Sequence, residues 1–294
     1  MARVGLFVHR GRRQALELAR EARAWLIEHG HEVRLTPADA EVLGCPEHAT
    51  PEDLLVADID LAMAVGGDGT MLRAVRRAAQ HGVAVLGINV GRLGYLTEVD
   101  PSQWRDALER FFAGDHGIDE RMLLAVRVEP ASPAGPVGDG LPDAMRPTYV
   151  LNEAVLEKVS MGHTVRLGVT LDGAFFTTYV ADGLIVATPT GSTAYAFSAR
   201  GPIVAPQHHA VQLTPVSPHM LFDRTLVLDP TTEVRIEVEG ERPAALSLDG
   251  HNVGDLQVGD VLACTAAEHP ARLVTFGARD FHSILKTKFG LNDR

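Results

Sequence analysis

Five apolar residues, Leu61 to Val65, run straight into Gly66-Gly67-Asp68-Gly69-Thr70, and an apolar helical pattern (Met71, Leu72, Val75, Ala78, Ala79) follows at once. Strand, tight turn and helix in that order mark an open α/β sheet, with the turn at the edge where such sheets bind ligands. Glycines there allow positive φ and close backbone approach to a ligand. The first N–H groups of the helix are left to meet phosphate oxygens. Asp68 is out of place in a turn that only holds phosphate, because a carboxylate repels it. It suits a metal ligand or the base that activates a hydroxyl. The competing reading is ordinary turn chemistry, with Asp68 as an N-cap.

The same alternation extends through the first half of the chain. Val4–His9, Glu32–Leu35, Leu61–Val65 and Val83–Asn89 read as strands; Ala15–Glu28, Met71–Gln80 and Pro101–Phe112 read as helices, the last opened by Asp100-Pro101 and closed by Gly114. This predicts an N-terminal open parallel α/β, Rossmann-like domain. After Gly114 the pattern changes to short β-rich runs, among them Tyr149–Leu156, Leu184–Ala187 and Ala271–Phe276, with Asp172-Gly173 as a two-residue hairpin turn. These predict a C-terminal β-sandwich domain. Asp280–Phe289 is helical again and is expected to return to the first domain. The expected division is therefore 1–118 with 277–294, and 119–276. Pro130–Pro147, rich in Pro, Gly and Ala, reads as a hairpin insertion rather than a linker.

Composition narrows the function classes. The 294 residues carry a net charge of −11, which argues against a nucleic-acid partner. No apolar run approaches the ~18–20 residues of a membrane span, and the N-terminus enters a strand without a signal-like segment. Cys45 and Cys264 lie far apart and are expected to be reduced, so a cytoplasmic location is expected. Thirteen histidines are scattered without metal-ligand spacing, so a zinc site is not expected. An acidic chain that binds polyanions needs local help from backbone amides, a few placed Arg or His, and a divalent cation.

Three further motifs carry chemistry. Gly87-Ile88-Asn89-Val90-Gly91-Arg92-Leu93-Gly94-Tyr95-Leu96 follows the next strand and should lie beside Gly66–Thr70 at the same sheet edge. Its Asn89 can donate and accept, and Arg92 can face an anion; alone, the loop is equally a demanding turn. Asn152-Glu153 places two polar residues in an apolar strand, a pair that can grip vicinal hydroxyls. Thr188-Pro189-Thr190-Gly191-Ser192-Thr193-Ala194-Tyr195, with Ser198 beyond it, clusters small hydroxyls and one aromatic ring, which suits a nucleoside; the alternative is a Ser/Thr-capped helix start. The run lacks the Gly-x-Ser-x-Gly elbow of a serine nucleophile. Arg73, one turn into the helix, reaches either a phosphate or solvent.

Taken together and in this order, these motifs with Asp182-Gly183 resemble the NAD kinase family, from residue 1 to the C-terminal tail. The Gly-Gly-Asp-Gly-Thr motif is shared with diacylglycerol kinases, sphingosine kinases and phosphofructokinases; the Thr-Pro-Thr-Gly-Ser-Thr-Ala-Tyr run singles out NAD kinases. Tyr95 departs from the family's frequent Phe, and Asp249-Gly250-His251 stands where a Gln often ends the motif. The resemblance implies phosphorylation of the adenosine ribose 2′-hydroxyl of NAD, with ATP or inorganic polyphosphate as donor and Mg²⁺ held mainly by phosphates. It implies Asp68 as catalytic base, with Gly66, Gly67, Gly69, Thr70, Arg73 and Asn89 around the donor. Asn152 and Glu153 would hold ribose hydroxyls, and Thr193, Ala194, Tyr195 and Ser198 would line the adenosine pocket. Asp182 would meet the nicotinamide end, and His163 a ligand of its own or of a neighbouring subunit in a homodimer or homotetramer; by sequence alone His163 is a surface residue. A lipid or sugar kinase on the same scaffold is the alternative, as is a non-catalytic NAD(P)-binding sensor.

Overall fold

Every residue of the strand Leu61–Gly66 is buried, as befits a parallel strand covered by helices on both faces. The computed structural model describes residues 1–51, 54–91, 94–131, 147–277 and 280–291. Contacts divide the chain into two units, 1–120 with 270–294 and 121–269. The first unit runs β1 (Arg3–Val8), α1 (Arg13–Glu28), β2 (Glu32–Leu35), α2 (Pro37–Leu43), β3 (Leu61–Gly66), α3 (Asp68–Ala78), β4 (Ala84–Asn89), α4 (Trp104–Ala113) and β5 (Gly117–Arg121). Strands β1, β2, β3 and β4 pair in parallel. Helix α1 buries Ala15, Leu18, Ala19, Ala22 and Leu26 in one cluster with Leu6, Met63 and Leu86 of the sheet. The i, i+3, i+4, i+7 spacing of these residues is what makes the segment an amphipathic helix. Gly114 ends α4 in the left-handed region at φ 78°.

The second unit runs β6 (Leu124–Glu129), β7 (Thr148–Val150), β8 (Glu153–Lys158), β9 (Val165–Leu171), β10 (Ala174–Ala181), β11 (Gly183–Ala187), the short helix α5 (Tyr195–Ser198), β12 (Val211–Val216), β13 (Leu226–Leu228), β14 (Val234–Glu239), β15 (Ala244–Leu248), β16 (His251–Leu256) and β17 (Val261–Ala266). They form two six-stranded sheets, ordered β10-β9-β14-β17-β6-β7 and β13-β12-β11-β8-β15-β16. Inward side chains of both, such as Val126, Leu167 and Ile236 from one and Leu156, Val186 and Leu246 from the other, share one core. This is the sandwich that the β-rich pattern implies. The turn Asp172-Gly173 has both residues at positive φ, 49° and 79°, the geometry that makes Asp-Gly a hairpin signal.

Two expectations need correction. Tyr149–Leu156 is not one strand: β7 and β8 belong to different sheets, with a bend at Leu151-Asn152 between them. The bend exists because the N–H groups of Leu151, Asn152 and Glu153 all donate to the Asp249 carboxylate, at 3.0, 2.7 and 3.3 Å. Ala271–Phe276, expected in the second domain, contributes β18 (Ala271–Thr275) to the first sheet, between β4 and β5. It pairs in parallel with β4, Arg272 opposite Ala84 and Leu273 opposite Val85. A short β-rich run states its conformation but not its partner. The final helix α6 (Phe281–Phe289) belongs to the first unit. Most of the insertion Pro130–Pro147 lies outside the described residues. Among those described, no helix is long and apolar enough to cross a membrane.

Candidate functional site

The expected site residues fall into two sets, one in each unit. In the first, the register of β3 on β4 puts Gly66 opposite Asn89, so the loops after both strands leave the sheet side by side. The N–H of Val90 donates to the Gly66 carbonyl at 2.7 Å. Asp68 opens α3, yet its side chain makes no cap. It reaches across to the neighbouring loop, where the N–H of Tyr95 donates to Oδ2 at 2.8 Å and that of Leu96 to Oδ1 at 3.0 Å. Each carboxylate oxygen has two acceptor sites, so capacity remains for a hydroxyl. Gly94 is glycine for this reason: a Cβ there would overlap Asp68 Oδ1.

The positive φ expected of Gly66, Gly67 and Gly69 is not found. Gly66 lacks a side chain because a Cβ would meet the Thr70 hydroxyl, so close approach and not φ selects glycine there. Helix α3, starting at Asp68, leaves its first amides without intrahelical partners. Asn89 Oδ1 is buried with no hydrogen-bond partner among the described residues. Arg92 lies outside them.

Gly67, Asp68, Gly69, Thr70 and Arg73 line a solvent-open cleft of about 450 Å³ together with Val8, His9, Arg10, Gly11 and Arg12. The second group is the loop after β1, which sequence reasoning passed over. The signal was available: β1 is a parallel neighbour of β3, so its carboxyl end must reach the same edge, and His9-Arg10-Gly11-Arg12-Arg13 follows it. Arg12 Nη1 donates to the Val90 carbonyl, tying this loop to the one after β4. Arg73 does not merely face solvent. Its Nη2 donates to the Val8 carbonyl at 2.7 Å and to Asp39 Oδ1 at 3.1 Å, and Arg10 Nε donates to the same Asp39 oxygen at 2.8 Å. Asp68 is the one acidic residue among those lining the cleft.

In the second unit Asn152 sits in the bend and Glu153 begins β8. The Thr188–Thr193 turn lies directly on this bend. Thr188 N–H donates to the Asn152 carbonyl at 2.9 Å, and a Cβ on Gly191 would overlap that carbonyl. Ser192 is spent inside the fold: its hydroxyl donates to the Val204 carbonyl at 3.1 Å and accepts from the Val204 N–H at 2.9 Å. That hydroxyl, expected to serve a nucleoside, serves the loop instead. Thr193, Ala194 and Tyr195 are half-buried and Ser198 is exposed. Helix α5 packs Ala196, with Tyr195 beside it, on Val155, Ile185 and Ala187, the face of β8 and β11 that looks away from the sandwich core.

Glu153 is 4% exposed, and its Oε2 has no partner among the described residues. Burial first, and the Asp249 carboxylate second, push its pKa up to about 8 against the opposing hydrogen bond from the Tyr195 N–H. Asp249, noted in the sequence only as part of a motif that departs from the family's pattern, is thus the residue that shapes the bend at Leu151-Asn152. Tyr195 donates its hydroxyl to Glu157 Oε1 at 2.5 Å; burial, that hydrogen bond and the negative charges of Glu157 and Asp182 hold the phenol protonated. Asp182 pairs with Lys158 at 2.6 Å. His163 is exposed in the turn from β8 to β9, in a shallow cleft shared with Lys158 and Arg242. Among the described residues no three His, Cys, Asp or Glu side chains gather as a metal site.

Comparison with known proteins agrees over nearly the whole chain. A family model described as the ATP-NAD kinase N-terminal domain matches residues 4–116, and one described as the ATP-NAD kinase C-terminal domain matches 151–276. The chain is 40% identical to the NAD kinase of Heliobacterium modesticaldum over 292 residues, covering 98% of each protein. It is 38% identical to that of Moorella thermoacetica over 291 residues, covering 98% of this chain and 89% of the relative. Among solved structures it resembles yeast NADH kinase complexed with NADH, with a TM-score of 0.87 and 26% identity over 100% of this chain and 89% of that one. The fold is also that of an Archaeoglobus fulgidus NAD kinase solved with ATP, with a TM-score of 0.70 and 23% identity over 98% and 97%.

Proposed function

The chain belongs to the NAD kinase family, and from that premise we propose that it phosphorylates the adenosine ribose 2′-hydroxyl of NAD to give NADP. The donor is ATP or inorganic polyphosphate, and Asp68 is the general base. A secondary hydroxyl is a poor nucleophile, and a positioned base contributes ~10²–10⁴-fold. The observation that carries the assignment is the Asp68 carboxylate held by two backbone N–H groups beside a cleft lined by helix-start amides and arginines. Asp68 takes the 2′-hydroxyl proton as the oxygen attacks the donor's terminal phosphorus. The phosphorus–oxygen bond to the remainder of the donor breaks, that remainder leaves with the electron pair, and the proton passes from Asp68 to solvent.

The amides of Gly67–Thr70, Asn89 and Arg73 hold the donor's phosphates and the charge that spreads over the moving phosphoryl group. A cleft with a single carboxylate fits a Mg²⁺ carried mainly by phosphates, which when bound neutralises phosphate charge; no protein ligand is assigned to it. Glu153 and Asn152 take ribose hydroxyls, the unpartnered Glu153 Oε2 being suited to one. Thr193, Ala194, Tyr195 and Ser198 line the adenosine pocket, Asp182 meets the nicotinamide end and His163 a further part of the ligand. These residues serve a homodimer or homotetramer, with 1–118 and 277–294 as donor domain and 119–276 as NAD domain apart from β18. Incubation with NAD, ATP and Mg²⁺ followed by assay with an NADP-specific dehydrogenase tests the reading. NADP formation is expected; a protein that binds NAD and forms no NADP with either donor is a sensor and not a kinase.

A further inference from the structure

Asp39 is wholly buried, with 0% of its side chain exposed, while its two arginine partners are 42% and 31% exposed. It lies in the first turn of α2, whose N-cap Thr36 accepts its N–H at 3.1 Å. Arg10 comes from the loop after β1 and Arg73 from α3, so one carboxylate joins three elements that are far apart in sequence. Arg10 Nη2 also reaches the Thr36 hydroxyl at 3.5 Å, and Arg73 lies over the Phe7 ring, 5.9 Å from its centroid. Both arginines line the cleft that contains Asp68; Asp39 does not.

A buried carboxylate cannot be left without its cations, so Asp39 fixes where both guanidiniums stand. One negative charge against two positive leaves the cluster cationic on its solvent side, in a protein of net charge −11. Arg12, tied to Val90, adds a third guanidinium to the same rim. Planar guanidiniums are suited to bidentate phosphate recognition. Without an anchor, long side chains would lose rotamer entropy on binding a ligand; here that ordering is already done.

We infer that Asp39 is a positioning residue, which holds Arg10 and Arg73 as a preset clamp for the oligophosphate chain of the phosphoryl donor. The inference rests on the reading of this cleft as the donor site. It adds Arg10 as a phosphate-contacting residue and gives Asp39 a role although it touches no substrate.

The test is steady-state kinetics, with ATP and NAD varied separately, plus calorimetric binding of inorganic tripolyphosphate. Asp39→Asn keeps the shape and removes the anchoring charge. The donor KM and the tripolyphosphate Kd are expected to rise about tenfold, the loss of a charge-assisted hydrogen bond, while the KM for NAD stays within about twofold. Arg73→Gln should do the same. The double variant should be no worse than about twice the more impaired single one, because both act through one contact. Asp39→Glu, which keeps the charge, should recover most of the affinity. A donor KM unchanged by Asp39→Asn but raised by Arg73→Gln overturns the positioning role and leaves the donor site standing. Donor KM and tripolyphosphate Kd unchanged in both overturn the donor-site reading itself. Should Asp39→Asn not fold, Arg10→Gln carries the test beside Arg73→Gln, and an unchanged donor KM in Arg10→Gln removes the clamp.

Discussion

Asp68 and Glu153 are the central carboxyl groups of the two sets of candidate site residues, and their surroundings are opposite. Asp68 faces donors: two backbone N–H groups fix it, and arginines ring the cleft beside it. Glu153 faces one N–H, from Tyr195, and another carboxylate, Asp249, with only 4% of its surface exposed. The α/β unit thus collects positive charge and amides at a sheet edge, which suits a polyanion. The β unit withdraws charge and leaves a buried carboxyl with an unmet hydrogen bond, which suits a sugar hydroxyl. With its pKa pushed up to about 8, Glu153 keeps its proton at neutral pH and can offer a hydrogen-bond donor as well as an acceptor.

The largest expected effect breaks the comparison at Asp68. Asp68→Asn removes the proton acceptor and sets an amide NH₂ against one of two backbone N–H groups. A fall in kcat of two or more decades is expected, with NAD affinity little changed in equilibrium binding. Near-normal turnover would leave Asp68 as a loop brace and nothing more. Next comes Asp249, which holds the bend at the other carboxyl. Asp249→Ala leaves three buried-to-half-buried amides without an acceptor, and urea unfolding should register a loss of about 2–4 kcal/mol. NAD affinity should fall with it; full stability in that variant would mean that the bend is held by other contacts.

Glu153 sharpens the contrast through pH. Its pKa is about 8 in the fold against an ordinary value of 4.5. The native state therefore binds the proton more tightly than the unfolded chain. The stability this gives is fully present below about pH 4.5 and is lost as pH rises through about 8. Glu153→Gln cannot ionise, so its stability should stay flatter across that window and exceed the parent's by roughly 2–4 kcal/mol at pH 8.5, while NAD binds more weakly. A parent and variant with parallel pH profiles would show that Glu153 is charged in the fold. Asp249→Asn offers a milder version, in which the Glu153 transition moves down in pH.

The smallest effect belongs to the insertion. Strands β6 and β7 are antiparallel neighbours, Val126 opposite Thr148, so their ends already lie close together. Replacing most of Pro130–Pro147 by a short Gly-containing turn should change stability by less than about 1 kcal/mol and leave NADP formation intact. Lost activity with an unchanged melting temperature would place that segment at an active site.

Local chemistry was legible in the sequence and long-range partnership was not. The strand–turn–helix at Leu61–Ala78 announces itself because apolar period, glycine and helix start coincide within eighteen residues. Asp172-Gly173 is equally plain, since few other pairs take two positive φ values. By contrast, nothing near Leu151-Asn152 says that Asp249, about a hundred residues on, will collect its amides. Arg10 and Asp39, 29 residues apart, carry no mark of each other in the sequence, and only the fold makes them partners. The Thr188–Thr193 hydroxyls taught a related lesson. Sequence shows how many hydroxyls there are, but not which, like Ser192, are already committed to backbone.

Strand β18 carries a consequence for biosynthesis. It lies between β4 and β5 in the first sheet, yet it starts at Ala271, long after β4 ends at Asn89 and β5 at Arg121. A ribosome therefore releases β1 to β5 with a vacant slot in their midst, and the slot stays vacant until the entire sandwich has been translated. The two sides of that slot, β4 and β5, are unpaired edges for that interval, open to strands of other nascent chains. The sandwich, made from one continuous stretch, can close first; the α/β half must wait for its last strand. Temporary shielding of the open slot, by a chaperone or by a synthetic β18 peptide supplied to a chain ended at residue 269, is the form of help this topology invites.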